Sequence, residues 1–485
     1  MRKERVDVAI VGGGPVGLLL ACELAIAGVT VSVFERRTER VAQSRALSLH
    51  PRSLEVLALR GLTDRFLARG QPLPTGHYAA LETRLDFSVL DTAFPFSLFI
   101  PQAVTERLLE ERALELGVAL HRGHPVTGLQ QLPDEVRLEG TGGGGTFHTA
   151  ARYVVGADGA RSAVRTLAGI GFPGTEATMS IMLGDFVLTE PLPRPALTVS
   201  NPRGLLMVAP LGDGLHHRLV VMDADRRQVP LSEPVTVEEL ERSARRIAGT
   251  AFGLKSPLWL SRFGNETRQA VAYRKGRVFL AGDAAHVHLP AGGQGLNVGL
   301  QDAMNLGWKL VGVLRGLAPE PLLDTYQHER HPVGADLLQN TLSQTALLDA
   351  AHPEGQALRA AMSRLLRLPA ANRLLAEQIS AFDVAYPDPV LPAPPGMEAP
   401  AGWVGTRLPD VPLRCEDGVT RPLYSLMHEG KWLLLRRPAS PSPEVPWAGW
   451  ISTVTAEPEG GPEGLRQGAS VLLRPDGRVG YVARA

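Results

Sequence analysis

The sequence predicts an α/β chain built on a doubly wound, Rossmann-like parallel sheet, and three stretches predict it. VDVAIVGGGPVGLLLAC near the start, YVVGADGARSAVR at 153–165 and RVFLAGDAAHVHLPAGGQG at 277–295 each run a short apolar strand into a glycine-bearing turn. An inserted antiparallel sheet and a small C-terminal domain complete the expected architecture.

The elements follow in order. Val6 to Val11 is a nearly continuous apolar run, as in a strand buried on both faces. LLLACELAIAG reads as an apolar helix closed by Gly28, and VTVSVFE as the next strand, which makes a β-α-β unit. Residues 51–70 read as helical, and residues 77–100, alternating apolar and polar, as strands. TERLLEERALELGV reads as a helix with Thr105 as N-cap and Gly117 as stop. EVRLEGTGGGGTFHT reads as a hairpin with a glycine turn. Short strands alternate with turns over 176–264, interrupted by a helix near 236–248. Residues 295–316 and 322–380 read as mainly helical. YPDPVLPAPPGMEAP is a proline-rich linker, followed by strands KWLLLR, ISTVTA, SVLLRPDG and RVGYVA. The expected division is 1–75, 100–175 and 265–385 for the sheet domain, 76–99 and 176–264 for the inserted domain, 386–402 for the linker and 403–485 for the C-terminal domain.

Size and charge bound the function. A chain of 485 residues suits about three domains. Lys plus Arg equals Asp plus Glu, 50 against 50, so no net field draws the chain to nucleic acid or to an anionic membrane. Two cysteines, Cys22 and Cys415, make no disulfide framework and suit a reducing cytoplasm. MRKERVDVAIVGGGPVGLLLAC has the outline of a signal peptide. Asp7, Glu23 and the glycines interrupt it, and the expectation is a soluble chain that begins directly with its fold.

The first motif is Gly12-x-Gly14-x-x-Gly17, with Pro15 and Val16 inside it. Gly12 permits the tight turn, Gly14 lets backbone approach a pyrophosphate, and Gly17 lets helix pack on strand. Glu35 ends the second strand 18 positions after Gly17, where a carboxylate accepts ribose hydroxyls and repels a 2′-phosphate. These features call for the ADP part of FAD or NAD. The second motif carries Asp158, Gly159 and Arg161, and the third carries Asp283. Ligands of open α/β sheets collect at the carboxyl ends of such strands. His286 and His288 could suggest a metal, but a zinc site needs more ligands. They read as packing or hydrogen-bonding residues.

GxGxxG with its distal Glu, then DG, then GD, in that order over residues 5–335, resembles the group A flavoprotein monooxygenases. SRALSLHPRSLEVL, IPQAVTERLLE, FPGTEATM, GDAAHVHLPAGGQGLNVGLQDAMNLGWKL and YQHERHPVG resemble more closely the aromatic polyketide hydroxylases of angucycline and anthracycline pathways. The resemblance implies bound FAD, transient NADPH or NADH, O₂ as co-substrate, and hydroxylation of a polycyclic aromatic through a flavin C4a-hydroperoxide. It implies that Glu35, beside Arg36, holds the adenosine ribose, and that Arg45 and Gln102 contact the phosphate or ribityl region. Val126 would meet adenine, Asp158 and Arg161 would serve FAD and the nicotinamide nucleotide, and Asp283 would bind the ribityl chain or pyrophosphate. Pro290, Gly292, Gly293, Gly295, Leu296 and Asn297 would run beside the isoalloxazine. A helix starting near Leu296 would aim its N–H groups at the flavin, an arrangement worth roughly 0.3–2 kcal/mol to an anion.

The resemblance further implies a C-terminal domain of thioredoxin-like fold, here without C-x-x-C and so without a redox role, and allows a homodimer. No catalytic base stands out among His77, Tyr78, His216 and His217. Strands around Ile181–Leu183 and Leu205–Val208 offer either pocket wall or ordinary core. Antibiotic inactivation, Baeyer-Villiger or ring-opening oxygenation, and a non-catalytic flavin-binding partner protein are the alternative readings.

Overall fold

Val8 pairs with Val31 on one side and Tyr153 on the other, both in parallel register, and this arrangement fixes the architecture of the computed structural model. The structure describes residues 4–41, 43–193, 196–349, 351–438, 443–447, 449–462, 465 and 470–483. The main sheet runs Arg274–Lys275, Val278–Leu280, Gly145–Gly156, Glu4–Val11, Val31–Glu35, Ala119–Arg122. Strands Glu4–Val11, Gly145–Gly156 and Val278–Leu280, which deliver the three motifs, are therefore parallel neighbours. Their apolar residues are buried on both faces, as covered parallel strands require.

The helices are α1 (Pro15–Ile26), α2 (Pro51–Ala58), α3 (Thr63–Leu67), α4 (Gln102–Glu115), α5 (Ala163–Leu167), α6 (Val237–Ala248), α7 (Gln294–Leu314), α8 (Asp324–Leu348), α9 (Pro353–Leu365) and α10 (Pro369–Ser380). A second, antiparallel sheet orders Leu197–Asn201, Gly204–Pro210, His216–Asp223, Ser180–Leu188 and Leu254–Gly264. Helix α6 packs on it, capped by Thr236, whose hydroxyl accepts the Glu239 N–H at 3.2 Å. The hairpin expected at the glycine tract is present, turning at Gly143 and Gly144 with φ of 57° and 84°.

Three expectations are corrected. Residues 77–100 are mostly loop with brief strands at Leu85–Asp86 and Ser97–Phe99 and a 3₁₀ turn at Phe87–Val89, because their apolar residues divide between two core clusters, Tyr78 to Leu90 in one and Leu98 and Ile100 in the other, rather than lying along a pleat. Thr105 is not the N-cap of α4. The helix starts at Gln102 behind Pro101, and Thr105 is buried within it. Helix α7 starts at Gln294, two residues before Leu296.

The proline-rich stretch leads into a sheet ordered Met397–Glu398, Val479–Ala483, Ser470–Leu473, Trp432–Arg436, Ile451–Pro458, Pro412–Cys415, Thr420–Pro422. This sheet is not set apart as the linker suggested. Leu408, Leu423, Leu433 and Val479 share one continuous core with the parallel sheet. Arg474 reaches Glu329 on α8 at 2.7 Å, and Glu329 also binds Lys309 on α7 at 2.7 Å. Arg52 donates to the Asp476 carbonyl at 2.7 Å, and Arg60, paired with Glu23, donates to the Pro475 carbonyl at 3.0 Å. Trp308 of α7 sits edge-on to Trp432 at 5.6 Å.

Candidate active site

The glycine fingerprint and the Asp-Gly turn are in direct contact. A Cβ on Gly12, whose φ is +110°, would fall 2.3 Å from the Ala157 carbonyl oxygen and 2.8 Å from the Asp158 nitrogen. Gly17 is held as closely, since a Cβ there would lie 2.1 Å from the Gly12 carbonyl. Gly14 differs: a Cβ on it would meet nothing within 4 Å. Helix α1 begins just behind it with Pro15 at its first position, and no side chain among the described residues caps it. Uncapped N–H groups beside open space fit a pyrophosphate.

Glu35 faces the same turn. Its carboxylate accepts the Gly13 N–H at 2.8 Å and the Arg37 N–H at 2.9 Å. The His124 N–H donates to the Glu35 carbonyl at 2.9 Å, which brings the start of the strand Val126–Gln131 beside the acid. Arg36 is exposed. The third motif closes on the first through Val16. A Cβ at Gly282 would lie 3.0 Å from the Val16 side chain, and one at Gly299 of α7 would lie 2.7 Å from it.

Asp158 makes local bonds within its own turn. It accepts the Ser162 hydroxyl at 2.5 Å and the Ala163 and Val164 N–H groups at 2.7 and 3.2 Å. It thus caps α5, and what it leaves facing outward is Gly159, where a Cβ would again meet nothing within 4 Å. Arg161 and Asp283 are exposed, and Asp283 has no hydrogen-bond partner among the described residues.

The segment 44–50 links the two ends of the groove. Gln102 accepts the Ala46 N–H at 3.2 Å, and the Ser44 hydroxyl accepts the Ala103 N–H at 3.1 Å. At the other end Asn297 accepts the His50 N–H at 2.7 Å and donates to the carbonyls of Ser48 and Gly293 at 3.2 and 2.8 Å. Asn297 therefore pins the loop rather than pointing out of it. Gly292 and Gly293 have φ of +70° and +69°, a left-handed pair that only glycine adopts without strain. The turn presents the uncapped N-terminus of α7 to the groove. Pro290 is exposed at its entry.

Among the histidines near this site, His50 is the one the sequence does not single out. His50 is buried, with Nδ1 3.0 Å from the Ile379 carbonyl, and burial pushes its imidazole down to about 4 against the pull of the Ile379 and Gly292 backbone. His77 is likewise pushed down to about 4, by burial and then by Arg84 and His50. His286 donates from Nε2 to Asp302 at 2.9 Å, and Asp302 also binds Arg330 at 2.7 Å. His288 bonds the Leu289 carbonyl at 2.7 Å. Both histidines thus hold structure, as read from the sequence. His216 is bound to Asp213 at 2.6 Å.

An apolar cluster lies between the second sheet and the glycine loop. Ile181, Leu205, Leu289, Ala291 and Ile379 belong to it, with Tyr78. Met182, Leu206 and Val208 alternate to the opposite face and pack against α6, so the two candidate wall strands contribute every second residue to each side. A half-open pocket of about 30 Å³ adjoins the cluster at Met179, Leu205, Met222 and Leu348, with Arg227 and Asp349 paired at its rim.

Comparison with known proteins agrees with this geometry. The family model for FAD binding domains matches residues 5–341, and that for the C-terminal domain of aromatic-ring hydroxylases matches residues 401–485. An uncharacterized aromatic compound monooxygenase of Bacillus subtilis is 47% identical, covering 99% of this chain and 95% of its own. A rifampicin monooxygenase of Streptomyces venezuelae is 44% identical, over 98% and 94%. The solved anhydrotetracycline hydroxylase of Streptomyces rimosus superposes with a TM-score of 0.88 at 43% identity, over 99% and 96%.

Proposed function

The chain belongs to the group A flavoprotein monooxygenases, FAD-dependent aromatic-ring hydroxylases, and from that premise we propose that it hydroxylates a polycyclic aromatic polyketide. NADPH or NADH is the transient hydride donor and O₂ the oxygen source. The observation that carries the substrate class is the apolar cluster under the glycine loop, which joins sheet, loop and α10 through aliphatic and aromatic side chains. Bound FAD supplies two-electron reduction and oxygen activation.

The chain's residues supply position and exclusion of water. Gly12, Gly14, Pro15, Val16 and Gly17 cradle the pyrophosphate on α1. Glu35, beside Arg36, takes the ribose, and Val126 lies against adenine. Arg45 and Gln102 bracket the phosphate and ribityl region. Asp158 contributes through the turn it caps, Arg161 reaches the nicotinamide nucleotide, and the unpartnered Asp283 binds the ribityl chain. Pro290, Gly292, Gly293, Gly295, Leu296 and Asn297 form the floor under the isoalloxazine. His77 and His50 stay neutral near pH 7, and with values pushed down to about 4 both are weak bases, so neither is assigned the phenolic proton. The lateral placement of strands Trp432–Arg436 and Ile451–Pro458 in parallel, beside two antiparallel strands, supports a thioredoxin-like C-terminal domain.

The test is NADPH oxidation by the purified holoenzyme with and without anhydrotetracycline, rifampicin and angucycline-type aromatics, followed by product mass. Stimulated oxidation with gain of one oxygen atom is the expected outcome. Failure of every aromatic to accelerate flavin reduction or gain oxygen would overturn the reading.

A further inference from the structure

Behind the glycine loop lies a chain of carboxamides of which only Gln294 falls within a sequence motif. Gln294, the first residue of α7, donates from Nε2 to the Ala291 carbonyl at 3.3 Å and to Asn340 Oδ1 at 2.9 Å. Gln344, one turn along α8, donates to the same oxygen at 2.8 Å. Its own Oε1 accepts the Ala79 N–H at 3.0 Å. Asn340 Nδ2 donates to Gln378 Oε1 on α10 at 2.7 Å. Gln294, Asn340 and Gln344 are 4%, 5% and 0% exposed. Such a network holds one arrangement because any slip leaves a buried polar group unpaired.

One end of this chain holds the segment Tyr78–Ala80, a wall of the apolar cluster. Ala79 and Ala80 both carry left-handed backbone, with φ of 48° and 50°, which alanine adopts only when its surroundings over-determine it. Arg359 of α9 supplies that constraint. Its guanidinium donates to the Ala79 and Leu347 carbonyls at 2.9 and 2.8 Å and to the Ala80 carbonyl at 2.8 Å. Tyr78, Ala79 and Ala80 lie in the apolar cluster assigned to the substrate. The other end supports the flavin floor. A Cβ on Gly292 would fall 3.2 Å from Gln344 Nε2 and 3.4 Å from Gln294 Nε2, so the loop backbone rests on the amides themselves.

We propose that Asn340 is a positioning residue that locks the glycine loop to the Ala79–Ala80 wall, so that the wall and the seat of the flavin move as one body. The idea rests on the reading of this cluster as the aromatic-binding cavity. Its consequence is that displacement of the wall is felt by the flavin without any side chain of the wall touching it.

The test needs no aromatic, so it is separate from the test of the substrate. FAD-bound, full-length Asn340→Leu, Asn340→Asp and Arg359→Met are compared with the parent by visible flavin spectrum, rate of reduction by NADPH alone, and thermal unfolding. Asn340→Leu is expected to shift the flavin band and change the reduction rate by about tenfold. Asn340→Asp, which still accepts from both glutamines, is expected to recover most of that rate. Arg359→Met, which frees the Ala79 and Ala80 carbonyls and that of Leu347 at the end of α8 but leaves every carboxamide in place, is expected to move band and rate in the same direction. A parent-like spectrum and rate in Arg359→Met, whatever its melting temperature, overturns the coupling. Should Asn340→Leu not fold, Gln378→Met removes a single bond to Asn340 and carries the same measurement, with parent-like flavin behaviour overturning the role of Asn340.

Discussion

Arg218 and Asp185 are register partners on adjacent strands of the second sheet and close a bidentate pair, Nε to Oδ1 and Nη2 to Oδ2, both at 2.8 Å. The Trp259 indole N–H donates to the same carboxylate at 2.6 Å. The guanidinium's remaining donors go to the Ser44 and Arg45 carbonyls. The second sheet thereby grips the segment that carries Arg45.

Removing one partner from a buried ion pair strands the other. Asp185→Ala is expected to lower unfolding free energy by about 3–5 kcal/mol and to weaken FAD retention. Chemical denaturation and flavin titration measure both. A variant within about 0.5 kcal/mol of the parent would show that the pair is not what holds this segment.

Gly12 and Gly14 separate folding from cofactor binding. Gly14→Val adds atoms where a Cβ meets nothing within 4 Å, so the protein should fold with an unchanged melting temperature and fail to retain FAD. Gly12→Ala drives a Cβ onto the Ala157 carbonyl and should destabilise the chain even before flavin is added. Circular dichroism melts of flavin-free protein distinguish the two; equal melting temperatures would contradict this division of labour.

The docked C-terminal sheet makes truncation costly. A chain ending at residue 400 exposes the core shared with Leu408, Leu433 and Val479 and leaves Glu329 without Arg474. Burial alone would push the Glu329 carboxyl up, and Arg474 and Lys309 outweigh it and hold it well below the usual range. The truncated chain should be insoluble or colourless, and Arg474→Ala should lose about 3–5 kcal/mol. Soluble, yellow truncated protein would refute the integration of the two parts.

His50 should make stability fall with acid. Its folded value of about 4 lies below the ordinary 6.5, so the unfolded chain binds the extra proton between those values. Its contribution is intact above pH 6.5 and is lost as pH falls toward 4, on the order of 3 kcal/mol in all. Melting temperatures across pH 7.5 to 4, in roughly half-unit steps, should show the slope, and His50→Gln should flatten part of it. An unchanged slope in that variant would place the acid sensitivity elsewhere.

The three fingerprints were legible because their constraint is written in backbone chemistry. Gly12, Gly17, Gly292 and Gly293 mark close approaches or left-handed turns that few other residues tolerate, and strand-turn order supplies their context. The partners that fix the site were not legible, because their pairing is set by topology. His50 meets Asn297 across 247 positions and Ala79 meets Gln344 across 265, and neither pair leaves a local pattern. Residues 77–100 misled for a related reason: alternation signals a strand only where neighbouring strands offer a ladder, and here the apolar side chains divide between two clusters. The proline-rich stretch spoke of chain stiffness and said nothing about Arg474 and Arg60 on the surfaces it joins.

Helix α7 spans 21 residues, about 31 Å of continuous rod, with the glycine loop at its beginning and Trp308 about two-thirds of the way along it, among Trp432, Trp447 and Trp450. Four of the molecule's six indoles are thereby collected at a fixed distance from the yellow chromophore's seat. Their ultraviolet emission overlaps flavin absorption, so its quenching becomes a built-in ruler. Loading, loosening or tilting of the coenzyme can be followed as a change in tryptophan light without labelling any residue.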